Sequence, residues 1–230
     1  MLKRLKEYFS KESLLKQSYD ETEKTLNICR EMFDETVRSL RYSDTADLKI
    51  DIYEKDQQIN KYQQEIRRKM MTHLAVSPKK EIHTALVLIS IVIDVERIGD
   101  YTKNIEDLAK NHPKKLKVGK YEETLKRLEE EVEAKFKSVT SAFSSYDMQA
   151  ARDVMSEHRS ITKQCDIILN ELVSEPYTEI ASNDVVALGL FVRYLKRVSA
   201  HLTNIVSSIV NPFDKIGFKP EEEESKNNSD

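Results

Sequence analysis

Glu96 and Asp100 stand four residues apart in the stretch VERIGDYTKNI, residues 95–105. On a helix that spacing puts both carboxylates on one face, with their oxygens able to meet at one point. Two such charges repel unless something positive lies between them. Asp56 and Asn60 repeat the spacing upstream in EKDQQIN, and Asn104 follows Asp100 at the same step. If the two stretches lie on adjacent helices, Asp56, Asn60, Glu96, Asp100 and Asn104 become a single set of hard oxygen donors. Such a set suits iron, manganese, magnesium or calcium, accepts zinc, and disfavours copper. The other reading is electrostatic: Arg97, Lys103, Lys61 and Arg67 lie close in sequence and would pair with these acids at the edge of a helical bundle. Asp94 falls on a different face and has no evident helix end to cap.

The elements that must carry these residues are helical. Only four Gly and five Pro occur in 230 residues, while Lys, Glu, Leu, Ile and Ala are abundant, so long stretches run without a helix breaker. Start and stop residues divide the chain into six helices near 12–42, 46–73, 79–111, 118–145, 148–174 and 183–210. Their apolar residues recur at three- and four-residue steps, as in Ile59, Tyr62, Ile66 and in Leu125, Leu128, Val132. Helices this long need neighbours along most of their length. In the third, Ile82, Leu86, Ile89 and Ile93 form a stripe that Glu96 and Asp100 continue, so the acids are expected where the pattern calls for core residues.

The chain also repeats itself. Arg97 and Arg197, Asn104 and Asn204, and Ile105 and Ile205 are identical at an offset of 100. At an offset of 102, Ile52, Ile59 and Ile66 meet Val154, Ile161 and Ile168. The expected fold is therefore all-α, with two tandem antiparallel three-helix bundles related by an internal repeat: residues 1–112, residues 113–218, and an acidic tail at 219–230 too polar to pack. In the second copy the acid stripe reads Val186, Gly189, Arg193, Lys196, Ala200, Asn204, and His158 stands in the place of Asp56. Its charge is reversed, which removes a cation site. Arg193, Lys196 and His201 either contact an anion or a partner, or pair with acids of a neighbouring helix.

Composition narrows the functional classes. With 37 basic and 40 acidic residues the net charge is −3, so no overall field attracts nucleic acid. Cys29 and Cys165 fit no disulfide framework or zinc spacing and read as core residues in a reducing compartment. The longest apolar run, Ala85 to Ile93 broken by Ser90, is well short of the roughly 20 residues of a membrane span. The start, LKRLKEYF at residues 2–9, forms a short amphipathic face that either touches a bilayer or packs on the bundle. No Glu-x-x-His of a di-iron carboxylate site, no HExxH and no Gly-rich phosphate loop occurs, and no enzyme is expected.

DVERIGDYTKNI resembles the LERIGD…NI motif of the PhoU family, whose members repeat a three-helix bundle carrying it in each copy. YLKRVSAHLTNI follows the motif with its acids replaced, and EKDQQINKYQQEI resembles the family's second-helix pattern. The resemblance covers about residues 12–212. It implies a cytoplasmic regulator of phosphate uptake and of the phosphate-starvation response, peripheral to the inner face of the membrane. Such a regulator contacts a phosphate transporter and a sensor histidine kinase, with a homodimer as a further expectation. It also implies metal binding through E/D-xxx-D motifs, with Glu96, Asp100 and Asp56 as ligands of iron, manganese, zinc or magnesium. That assignment does not carry to Lys196 and Ala200. The family's P-x-x-DLR entry to the third helix is PKKEIH here, with His83 in place of Arg. The alternatives are a metal-free helical adaptor and a partner of a sodium-phosphate cotransporter.

Overall fold

A computed structural model describes residues 13–45, 47–76, 81–112, 114–174 and 180–218. The expected amphipathic start and acidic tail lie outside them. Among these residues six long helices form: α1 (Leu14–Tyr42), α2 (Ile52–Val76), α3 (Ile82–Asn111), α4 (Glu122–Ser145), α5 (Met148–Ser174) and α6 (Ser182–Val210). A single 3-10 turn, Gly119–Tyr121, leads into α4, and another, Phe213–Lys215, follows α6.

Local chemistry sets the ends. Ser13 caps α1 by accepting from the Lys16 amide at 3.2 Å. The second helix starts at Ile52, six residues later than its sequence pattern suggests, because Asp51 accepts from the Glu54 amide at 3.0 Å and ends the extended connection there. Tyr146 closes α4 in the left-handed region, with φ of 53°, and Asp147 starts α5 by accepting from the amides of Gln149 and Ala150.

Within the first unit α1, α2 and α3 pack on one another, and α4, α5 and α6 do so in the second. The units join side by side, α1 against α4 and α3 against α6, over one continuous apolar core. Phe33 meets Phe136 while Tyr19 stacks on Phe143, and Asp94 meets His201 while Tyr101 meets Tyr194, so α1 runs antiparallel to α4 and α3 to α6. Phe33 and Phe136 are both fully buried, and removing each from water contributes roughly 1.5–3 kcal/mol. Gly99 lets α2 lie close on α3, since a Cβ there would stand 2.9 Å from Ile59 Cδ1. Both cysteines are buried and unbridged, and burial pushes both thiols well above their usual range. Among the described residues no helix is long and apolar enough to cross a membrane.

The structure corrects the expected stripe on α3. Its core face is Ala85, Leu88, Ile91, Val92, Val95, Ile98, Gly99, Thr102, Ile105 and Ala109, nearly opposite the stripe of Ile82, Leu86, Ile89 and Ile93 on a helical wheel. Ile82 and Ile93 are 40% and 37% exposed. The first half of α3 is apolar almost all round, so periodicity offers more than one face. The small residues Ala85, Gly99 and Thr102 mark the one that accepts close neighbours. Glu96 and Asp100 therefore replace no core residue; they sit half-buried on the flank facing α2.

Candidate functional site

α2 and α3 bring the predicted acids to one patch around a lysine. Lys103 donates to Asp56 Oδ2 at 2.8 Å and its Nζ stands 3.6 Å from Asp100 Oδ1. Arg97 reaches Asp100 at 3.3 Å and Glu96 at 3.8 Å. Asn60 donates to Asp56 Oδ2 at 3.4 Å, and Asn104 lies one turn beyond Asp100, half-buried. Burial, then the neighbouring charge of Asp100, raises Glu96 above the usual carboxylate range. Burial works against the Lys103 charge, yet the hydrogen bond and charge of Asp56 and the charge of Asp100 raise its pKa overall.

As donors these oxygens fit a hard cation; as arranged they do not. The position between Asp56 and Asp100 is taken by the Lys103 ammonium, and among the described residues no group of three or more His, Cys, Asp or Glu is arranged to hold a metal ion. The ion-pair reading of the acids is the one this geometry displays.

The three residues singled out in the second unit do not converge. Lys196 turns to α5 and pairs with Asp166. Arg193 is exposed on α6. His201 turns to α3, where its Nδ1 lies 2.7 Å from Asp94. Asp94, which had no evident role in the sequence, thus bridges the two units, and Asn204 donates to it at 2.9 Å.

A different polar cluster occupies the second unit. Lys135 of α4 is 1% exposed and donates to Ser199 Oγ of α6 at 3.2 Å. Ser199 Oγ lies 2.9 Å from His158 Nδ1 of α5, and His158 Nε2 lies 3.2 Å from Thr162 Oγ1. Burial lowers Lys135 to about 7, opposed only by Glu157. Burial, then the charges of Lys135 and Lys196, lowers His158 to about 4. The sequence carries a trace of this cluster: Leu128, Val132, Lys135 and Val139 recur at steps of four, three and four, so Lys135 interrupts an apolar stripe.

At the α1–α4 seam a further buried pair holds the units together. Arg41, 3% exposed, bonds Glu129 and Glu122, each at 2.6 Å, and the Leu116 carbonyl at 2.8 Å. Tyr42 donates to the other oxygen of Glu129 at 2.6 Å. Beside it an acidic groove of about 250 Å³ is lined by Asp34, Arg38, Tyr42, Glu129, Glu130 and Glu133, and burial with the charge of Glu133 raises Asp34 to about 6.

Fold and clusters define a repeated helical-bundle protein, with equivalent positions of its two units carrying opposite charge. The PhoU domain model matches it twice, over residues 22–109 and 125–209, and the chain belongs to the PhoU family. A protein of Caulobacter vibrioides named a phosphate-specific transport system accessory protein PhoU homolog, found in two strains, is 26% identical over 157 residues, covering 67% of this chain and 68% of the relative. The crystal structure of PhoU from Pseudomonas aeruginosa superposes with a TM-score of 0.75 at 20% identity, covering 86% of this chain and 95% of that one. The phosphate transport system regulatory protein PhoU from Streptococcus pneumoniae gives 0.67 at 18% identity, covering 85% and 91%.

Proposed function

We propose that this chain is an accessory regulator of phosphate transport. It works in the cytoplasm, at the inner face of the membrane, through contacts with a phosphate transporter and with a sensor histidine kinase of phosphate starvation. The observation that carries this reading is the PhoU domain matched over both units, together with a relative named as an accessory protein of phosphate-specific transport. The regulator acts by binding rather than catalysis and self-associates as a homodimer. The test is co-expression of the tagged chain with the phosphate transporter and, separately, with the sensor kinase of the same cell, followed by crosslinking in membranes at high and low phosphate. Capture of the transporter that changes with phosphate is the expected result. Capture of a sodium-phosphate cotransporter instead would reassign the partner, and capture of neither transporter nor kinase would overturn the reading.

A second reading adds a metal in the first unit. It is favoured by the balance of charge there: among the described residues Asp56, Glu96 and Asp100 pair only with Lys103 and Arg97, which leaves net negative charge on a half-buried patch. Glu96, Asp100 and Asp56 would hold iron, manganese, zinc or magnesium, with Asn60 and Asn104 beside them and Lys103 turned outward. Elemental analysis of the untagged protein beside a Glu96→Ala, Asp100→Ala variant decides it. Stoichiometric metal that disappears in the variant supports the site. Absence of metal from both after reconstitution leaves a metal-free adaptor.

A further inference from the structure

Lys135 is fully buried and, among the described residues, no carboxylate pairs with it. The internal repeat shows what the same position holds elsewhere. At an offset of 103 most buried residues of α1 meet a buried residue of α4, as Cys29 with Val132, Phe33 with Phe136, Thr36 with Val139 and Leu40 with Phe143. By that register Lys135 takes the place of Met32, itself fully buried. A methionine there fills the same volume without a charge, so the fold does not require the lysine.

The changes around it share one direction. Glu96 of the first unit corresponds to Lys196, Asp56 to His158, Gly99 to Ser199 and Asn60 to Thr162, at the offsets of 100 and 102. Acids have become bases, and a glycine has become a hydroxyl. Lys135, His158, Thr162 and Ser199 are joined by hydrogen bonds, and Lys196 lies one turn before Ser199 on α6, near enough for its charge to act on His158. The acids facing the group are Asp166, which Lys196 engages, and Glu157, which is exposed.

We infer that the second unit carries a binding site for a small tetrahedral oxyanion, with Lys135 and Ser199 as its floor and His158, Thr162 and Lys196 as its half-exposed rim. The chemistry follows from the donors. An ammonium and hydroxyls supply charge-assisted hydrogen bonds to an oxyanion, and the anion supplies the counter-charge that a buried lysine lacks. Lys135 and Ser199 are buried beneath the partly exposed His158, Thr162 and Lys196, so only a small ion would reach them. Binding favours the charged form of Lys135, so affinity falls as pH rises through about 7, where the lysine loses its proton. The site does not depend on the partner contacts proposed above and stands or falls separately.

The test is a titration of the isotopically labelled full chain with inorganic phosphate, following the His158 ring and the Lys135 ammonium by NMR. Sulfate and chloride are added in parallel at matched ionic strength. Expected are saturable shifts at both residues, competition by sulfate, affinity that weakens from pH 6.5 to 8, and loss of affinity by about tenfold or more in Lys135→Met. Lys196→Met weakens binding less, and a change at the exposed Lys126 of the same unit, Lys126→Met, leaves it unchanged. No saturable shift at millimolar phosphate, equal shifts with chloride, or undiminished binding in a folded Lys135→Met protein would each overturn the proposal.

Discussion

Asp94 of α3 and His201 of α6 meet across the seam between the two units, His201 Nδ1 lying 2.7 Å from Asp94 Oδ1. Asn204 donates to the same oxygen at 2.9 Å, and His201 Nε2 lies 3.3 Å from Arg197, whose Nε donates to the Tyr101 hydroxyl at 3.2 Å. Asp94 and His201 are 14% and 10% exposed, so water replaces these bonds poorly. Asp94→Ala is expected to destabilise the fold by about 1–3 kcal/mol in urea denaturation. Adding His201→Ala should cost less than it does alone, because the two share one interaction. Simple additivity would mean the bridge contributes nothing to joining the units.

Arg41 presents the harder case of a buried charge. Its side chain is 1% exposed and that of Glu129 6%, and burial raises Glu129 although Arg41 and Tyr42 lower it. Arg41→Met leaves that carboxylate buried without its partner and is expected to destabilise by about 3–5 kcal/mol. Replacing both residues, as Arg41→Met with Glu129→Leu, should recover much of the loss. If the double variant is no more stable than the single one, the damage lies in the Leu116 carbonyl contact rather than in the unpaired acid.

Lys103 holds the place between Asp56 and Asp100 that a metal ion would need. Lys103→Met removes it and leaves three carboxylates with Arg97 as their one pairing cation among the described residues. On this half-exposed patch the repulsion is expected to cost about 1 kcal/mol without metal. Added manganese(II) should restore the stability and bind more tightly than in the unaltered protein, as read by calorimetry. If manganese neither binds nor stabilises the variant, the oxygen cluster is no cation site and the lysine is a simple ion-pair partner.

Much of this architecture was legible in the sequence, and the illegible parts have physical reasons. Six helices and a repeat follow from sparse breakers and from motifs a hundred residues apart, and Asp56, Glu96 and Asp100 do share one patch. Periodicity failed on α3 because Ile82 to Ile93 is apolar on nearly every side, and only the neighbours, α1, α2 and α6, decide which face is inside. Arg193, Lys196 and His201 share a helix but point to different partners, and a stripe counted in residues does not show which helix each meets. Asp94 with His201, and Arg41 with Glu129, are pairs across the two units; spacing along one helix carries no record of them. Lys135 left a trace as a charge inside an apolar stripe, though only the packing shows that its ammonium stays buried rather than reaching out to water.

The same lysine makes stability depend on pH in a direction that can be stated in advance. In the unfolded chain Lys135 holds its proton up to its ordinary value of 10.5, but in the fold it releases it near 7. Between those values the unfolded chain binds more protons, so stability rises with pH, by up to about 1.4 kcal/mol for each unit. His158 acts in the same sense lower down. Its ordinary value of 6.5 falls to about 4 in the fold, so its contribution is present above 6.5 and is lost as pH drops toward 4. Denaturation followed from pH 4 to 10 in phosphate-free buffer should therefore show stability climbing in two windows. Lys135→Met should flatten the upper window and narrow the lower one, because the Lys135 charge helps to lower His158. Inorganic phosphate, if it occupies the second unit, should raise stability most below pH 7, where the lysine is charged. A profile in which Lys135→Met leaves the upper window unchanged would show that Lys135 keeps its proton in the fold.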